Sequence, residues 1–304
     1  MMIKPYRFAA DLTRGVILSR PNRFVMMVQD QSTGLVERCH CPATGNIGFL
    51  DFDKGGIPCL LSKNLSAKAK TSHTVEAISL QQNNDPDLSW IGINLTKSNR
   101  YVEHFLLEGI FHEYDCESGH MQGMRGLQAE NVQGEVKLGD SRIDFCLTLD
   151  DYSSESGFQS HYIEVKTPLG HMDTTSHEHF DMRKLKRARQ SGISSRLPRH
   201  MNTLADAVTN GGSGISTVKE ENQHRTRCTM LILFMYDAEA FKPPKSSDEL
   251  RDVLDGVDYS RAHERQLQHV LDSAERMRTS GVVTWQLNLE ITPVQVNFRS
   301  CFPL

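Results

Sequence analysis

A chain of 304 residues is long enough for one large domain or two ordinary ones, and its 38% hydrophobic and 24% charged residues exclude disordered and fibrous classes. No run approaches the roughly 18 consecutive apolar residues of a membrane span, so no membrane partner is expected. The formal net charge of −4 does not announce a nucleic-acid binder, but its distribution is uneven. Arg183, Lys184, Lys186, Arg187 and Arg189 crowd together, whereas residues 248–258 are acidic. The first residues lack the apolar core of a secretory signal, and seven cysteines form no Cys-x-x-Cys pair or disulfide framework. An intracellular setting, cytoplasmic or nuclear, is expected.

From residue 16 to about 78 the pattern is short β-runs broken by turn residues. Residues 16–18, 23–28 and 35–39 run apolar or alternate, and Ser32-Thr33-Gly34 signals a hairpin. All-β units of this size are often barrels. The polar stretch 81–87 is the best linker, dividing a barrel at 1–82 from a second domain at 88–304. Residues 90–93 then form a short strand, and Ser98 caps a helix through Leu107 with Gly109 at its end. Strands follow at 141–149 and 161–167, joined by a polar loop. A helix at 199–208 stops at Asn210-Gly211-Gly212, and 211–221 reads as an insertion. The run 229–236 is apolar throughout, as in a strand buried on both faces. An amphipathic helix at 262–278 and a closing strand at 282–291 complete an α/β layer domain with a mixed sheet.

The chemistry-bearing residues lie in the strand pair. Alternation puts Ile143, Phe145 and Leu147 on one face and Arg142 and Asp144 on the other. Glu164 and Lys166 likewise share a face, opposite Ile163 and Val165. Antiparallel neighbours would bring Asp144, Glu164 and Lys166 together. Paired carboxylates suit a divalent cation, oxygen ligands favour Mg²⁺ or Mn²⁺ over zinc, and an adjacent ammonium can stabilise charge on a phosphate. Spacing alone favours a solvated strand pair with an ordinary cross-strand ion pair.

The surrounding sequence reverses that balance. Glu135-Val136-Lys137-Leu138-Gly139-Asp140-Ser141-Arg142-Ile143-Asp144-Phe145, followed by Tyr162-Ile163-Glu164-Val165-Lys166, resembles the central signature of the sugar fermentation stimulation protein A (SfsA) family. Four further blocks agree in order: Arg20-Pro21-Asn22-Arg23-Phe24 with Cys39-His40-Cys41-Pro42-Ala43-Thr44-Gly45, then residues 70–76, 93–100 and 199–204. The resemblance implies an OB-like N-terminal barrel, a restriction-endonuclease-like PD-(D/E)xK domain, and sequence-nonspecific DNA as partner. It also implies Asp144 and Glu164 as metal ligands and Lys166 as the catalytic lysine, with Glu135 in a supporting role. Where relatives carry an acidic residue in the helix after Asn99-Arg100, this chain has His104 beside Glu103. The family's Phe-Pro-Asp-Ala block is replaced by a longer basic segment around 183–196.

Arg183, Lys186 and Arg187 are candidate phosphate contacts, although such a run also describes a solvated helix face or a localisation signal. Arg20, Arg23, Lys68 and Lys70 could line a binding face of the barrel, with Phe24 as the one obvious aromatic. His171, Asp173, His177, His179 and Asp181 lack standard metal spacing and read as an exposed loop. Cys39 and Cys41 are expected to pack in the barrel. Three readings result: a Mg²⁺- or Mn²⁺-dependent nuclease that binds DNA, a non-catalytic DNA-binding regulator with a vestigial nuclease fold, and an RNA-directed protein. The sequence leaves the oligomeric state open, a homodimer included.

Overall fold

The computed structural model describes residues 3–66, 68–85, 87–110, 131–148, 158–190, 195–210, 225–242, 249 and 261–304. Strand β1 (Tyr6–Arg7) joins the larger of two sheets; β2 (Thr13–Asn22), β3 (Val25–Asp30), β4 (Val36–His40), β5 (Ile57–Lys63), β6 (His73–Ile78) and β7 (Ile91–Gly92) form the smaller. In that smaller sheet the order is β4-β3-β2-β5-β6-β7, and a parallel pairing of β4 with β6 closes its first five strands into an OB-like barrel. Ile17, Met26, Val28, Cys39, Cys59, Leu61 and Val75 fill the interior. The Ser32-Thr33-Gly34 hairpin forms where expected. Asp30 accepts the Ser32 and Thr33 amides at 2.7 and 3.3 Å, and Gly34 takes the positive φ of 71° that the turn needs. Cys39 and Cys41 are fully buried in the barrel core, and burial pushes the Cys39 thiol up to about 12.

The larger sheet adds β8 (Val132–Leu138), β9 (Ser141–Thr148), β10 (Phe158–Lys166), β11 (Arg225–Phe234), β12 (Val283–Ile291) and β13 (Gln295–Pro303), in the order β1-β13-β12-β11-β10-β9-β8. β10, β11 and β12 run parallel and the remaining pairings are antiparallel, so the sheet is mixed. Helix α1 (Ser98–Leu107) covers one face through Tyr101, Val102, Phe105 and Leu106. α2 (Met182–Gln190) runs beside the barrel, and the core of the other face includes Leu204 and Ala207 of α3 (Arg196–Thr209) and Met277 of α4 (Arg261–Thr279). β11 sends Leu231 and Leu233 into the first core and Met230, Ile232 and Phe234 into the second. Its unbroken apolar run thus reflects burial on both faces.

Several elements depart from the sequence reading. β8 was hidden because Gly134 and Glu135 interrupt its alternation; Glu135 has φ 58°, unusual for a residue with a Cβ. β12 does not close the sheet: β13 pairs antiparallel beyond it, its apolar positions diluted by Gln295, Asn297 and Arg299. Tyr6–Arg7, expected in the barrel, pairs with β13, while Ile91–Gly92, expected to open the second domain, pairs with β6. Ser98 does not cap α1 by accepting an amide; its hydroxyl donates to the Leu95 carbonyl at 2.7 Å. The polar loop after β9, the insertion at 211–221 and the acidic segment 248–258 fall largely or wholly outside the described residues. Among the described residues, no helix is long and apolar enough to cross a membrane.

Gly92 marks the seam between the two layers. A Cβ there would stand 2.6 Å from the Met235 Cβ and 3.1 Å from Ile291 Cγ1, and the Gly92 amide donates to the Met235 carbonyl at 2.9 Å. Gly92→Ala is expected to destabilise the protein by about 1–3 kcal/mol through overpacking, read as a fall in the urea midpoint. An unchanged midpoint would mean that the seam yields freely.

A second seam is built by the segment after β10. Leu169 and Met172 pack into the barrel core, and the Thr174 hydroxyl donates to the Gly48 carbonyl at 2.5 Å. His177 and His179 bond the Leu80 and Gly55 carbonyls at 3.0 and 2.6 Å. Lys184 of α2 donates to the Leu50 carbonyl and to Asp51, at 2.8 and 3.1 Å. The His-rich segment is therefore a strap lying on the barrel, not the exposed loop expected. Its polar side chains replace water on barrel carbonyls that would otherwise be buried unpaired, and burial holds the His177 ring below its usual pKa.

Candidate functional site

β9 and β10 are antiparallel neighbours with Ile163 opposite Phe145. One step further in that register sets Asp144 against Glu164. There the backbone ladder gives way: the Val165 amide donates at 2.7 Å to Asp144 Oδ2 instead of to a β9 carbonyl. Asp144 Oδ1 accepts from Asn99 Nδ2 at 2.7 Å, so the first turn of α1 holds this carboxylate in place. Phe145 and Leu147 lie in the α1 core, whereas Ile143 packs with Leu138 and Leu204 on the other side. The expected single face is split at Asp144, beside the left-handed backbone of Glu135 in β8.

Alternation along β10 places Glu164 and Lys166 on one face, as the pattern required. Glu164 is 2% exposed. Its Oε1 accepts from Lys166 Nζ and bonds His200 Nδ1 of α3, while its Oε2 is buried with no partner. Lys166 Nζ and His200 Nδ1 are 3.4 Å apart. The structure therefore joins Glu164, Lys166 and His200, with Asp144 held one residue away on the Val165 amide. No hydrogen bond or ion pair links Asp144 to Glu164 or Lys166 among the described residues, and no three His, Cys, Asp or Glu side chains there are grouped to hold a metal unaided. A buried ion pair with one bare oxygen is a costly arrangement for stability alone, since desolvation commonly exceeds the Coulombic gain.

Two site residues escaped the sequence reading. Asn99 and His200 both sit in blocks quoted for the family resemblance, but nothing in their local pattern says which side chain turns inward. His104, weighed for that place, instead bonds the Lys4 carbonyl at 2.9 Å and meets the Tyr6 ring edge-on, holding the N-terminal segment. Neighbouring Glu103 is exposed. Glu135 makes an exposed pair with Arg142 at 3.6 Å.

The basic residues divide by what they already hold. The Arg20 guanidinium donates to the carbonyls of Ala43, Arg23 and Gly45 at 2.6, 3.1 and 3.3 Å, which makes it a brace for the turn. Arg23 is exposed, with its guanidinium 4.6 Å from the centre of the Phe24 ring. Lys68 and Lys70 are exposed beside the barrel's cleft. On α2, Lys186 and Arg187 are exposed, whereas Arg183 donates to Asp181 at 3.2 Å near the helix start.

Residues 18–93 match the family described as the SfsA N-terminal OB domain. The sugar fermentation stimulation protein homolog of Synechococcus sp. (strain JA-2-3B'a(2-13)) is 35% identical over 162 residues, covering 53% of this chain and 56% of that protein. Its counterpart in Alcanivorax borkumensis is 28% identical over 205 residues, covering 67% and 73%. The match thus spans little more than half the length of the first of these relatives. The structure of Pyrococcus furiosus SfsA in complex with Ca²⁺ superposes with a TM-score of 0.54 at 14% identity, covering 100% of this chain and 98% of that one, and so shares the fold. Residues 18–93 thus match the SfsA N-terminal OB domain, and in sequence and fold the chain is similar to the sugar fermentation stimulation proteins.

Proposed function

We propose that this chain is a divalent-metal-dependent nuclease acting on DNA, with Asp144 and Glu164 as the metal ligands and Lys166 as the catalytic lysine. The observation that carries the reading is Glu164 itself: a carboxylate buried to 2% exposure, one oxygen bare, beside an ammonium. That bare oxygen fits a hard cation. Mg²⁺ typically binds through one or two carboxylates and completes its shell with water and substrate phosphate, so two protein ligands suffice. Mn²⁺ accepts the same oxygen donors. The Ca²⁺ bound by the Pyrococcus furiosus relative is in keeping with a site for hard divalent cations.

The metal would supply Lewis-acid polarisation of the phosphate and a more acidic bound water. Within the chain, Asn99 and the Val165 amide fix the Asp144 carboxylate, and burial keeps Glu164 from being hydrated. Lys166, 30% exposed at its side chain, can move from Glu164 towards charge developing on a phosphate. The OB-like barrel provides a second nucleic-acid surface. Incubating the protein with labelled single- and double-stranded DNA in Mg²⁺, Mn²⁺ or chelator tests the proposal. Cleavage is expected with either metal and none with chelator.

One observation favours a second reading. Lys166 and His200 already share the single engaged oxygen of Glu164, an arrangement that neutralises the charge without a cation. A non-catalytic DNA-binding regulator with a vestigial nuclease fold would keep that pair for structure alone. Tight DNA binding without cleavage under any metal would select it.

A further inference from the structure

Glu164 Oε1 is shared by two donors from different elements. Lys166 Nζ reaches it from the end of β10, and His200 Nδ1 reaches it from α3. An ion pair needs only one of them. For stability alone the second donor would serve better on Oε2, which is buried and bare. Crowding both onto one oxygen keeps the other clear.

The two donors are held differently. Lys166 ends a flexible four-carbon stem, and its side chain is 30% exposed. His200 carries a short ring, 14% exposed, on a helix fastened at several points. Leu204 and Ala207 follow it on the same helix face and are buried in the core beneath α3. The hydroxyls of Thr203 and of Ser141, the first residue of β9, meet at 2.9 Å. Asn202 donates to the Ser273 hydroxyl of α4 at 3.0 Å and accepts from Arg276 at 3.2 Å. α3 thus holds the ring at Glu164, while the ammonium can leave by rotating its own stem.

A cation at the bare oxygen would oppose the ammonium, and phosphate charge would draw it outward. Without another donor Oε1 would then stand buried and unpaired, which is costly. We infer that His200 is a positioning residue of this site. It keeps Oε1 bonded, so that Oε2 stays turned to the metal once Lys166 has left for the phosphate. The inference rests on the divalent-metal reading above and adds to it a division of labour between the two donors.

The test is Mn²⁺ binding without DNA, followed by loss of the free-ion electron paramagnetic resonance signal, so that no turnover is involved. Wild type, His200→Ala, His200→Asn and Lys166→Met are compared. Ala suits a helix position, so α3 keeps its fold, which circular dichroism verifies. In His200→Asn the amide nitrogen takes the place of Nδ1. His200→Ala is expected to weaken Mn²⁺ binding about 10- to 100-fold, the usual scale for a group orienting a metal-binding carboxylate. His200→Asn should stay within about three-fold of wild type, and Lys166→Met should bind no more weakly than wild type. Equal binding by wild type and His200→Ala would overturn the inference while the metal reading stands. So would His200→Asn or Lys166→Met binding as weakly as His200→Ala. A wild type that takes up no Mn²⁺ would remove the metal reading and the inference with it.

Discussion

Glu164→Gln is expected to abolish metal-dependent cleavage, by about a hundred- to a thousand-fold or more, while the thermal midpoint stays level or rises by a few degrees. The two effects have one cause. The native carboxylate is buried, with Lys166 and His200 sharing one oxygen and the other left unpartnered, so its desolvation is only partly offset. A neutral isostere relieves that desolvation cost, and Lys166, with its side chain 30% exposed, can turn into solvent and so is not left as a buried unpaired charge. The same change removes the anionic donor a hard cation needs. Asp144→Asn should behave differently. Asp144 accepts one hydrogen bond at each oxygen, from Asn99 and from the Val165 amide. Its amide has only one acceptor, so one bond is lost at a cost of about 1–2 kcal/mol, and activity falls as well. Stability measured by urea titration beside cleavage separates the two carboxylates. A Glu164→Gln protein several kcal/mol less stable than wild type would mean that Glu164 is a structural ion pair.

The second large effect is expected at Asn99, which touches no substrate in this account. Asn99→Ala should lower cleavage about 10- to 100-fold and raise the Mg²⁺ concentration needed for half-maximal rate. That is the usual scale for a residue orienting a metal-binding carboxylate. The argument runs through the start of α1. Glu76 of β6, 3% exposed, accepts from Asn94 Nδ2 at 2.8 Å, from Lys97 Nζ at 2.6 Å and from the Ser62 hydroxyl. The barrel thereby anchors the residues just before Asn99, and Asn99 anchors Asp144. Excess Mg²⁺ should partly restore the Asn99→Ala rate, since the carboxylate is still present but no longer aimed. Rates and metal dependence equal to wild type would show that Asp144 is held well enough by the Val165 amide alone.

Much of this architecture was legible in the residues. The barrel strands announced themselves because Ile17, Met26, Val28 and Cys39 face a closed core while their neighbours face water. β11 did so because both its faces are covered. The pairing of Glu164 with Lys166 followed from strand alternation, and the antiparallel register of β9 with β10 brought Asp144 to the adjoining residue. What stayed hidden depended on tertiary contacts. β8 carries a left-handed residue, Glu135, where alternation should continue, and β13 is a polar strand that is recognisable only once β12 and β1 flank it. His200 reads locally as one more polar position of an amphipathic helix; only the packing of α3 on the sheet turns it onto Glu164. The strap residues His177 and His179 looked solvent-facing because their partners, the Leu80 and Gly55 carbonyls, are roughly a hundred residues away in sequence.

The central claim is that Asp144 and Glu164 hold a divalent cation with which this chain cuts DNA. Its most direct test is cleavage of end-labelled DNA by wild type and Glu164→Gln side by side, in Mg²⁺ and in chelator, at protein concentrations where both bind the DNA. The account predicts products only for wild type in Mg²⁺, with DNA binding equal in the two proteins. Equal cleavage by both, or none by either despite equal binding, would contradict it.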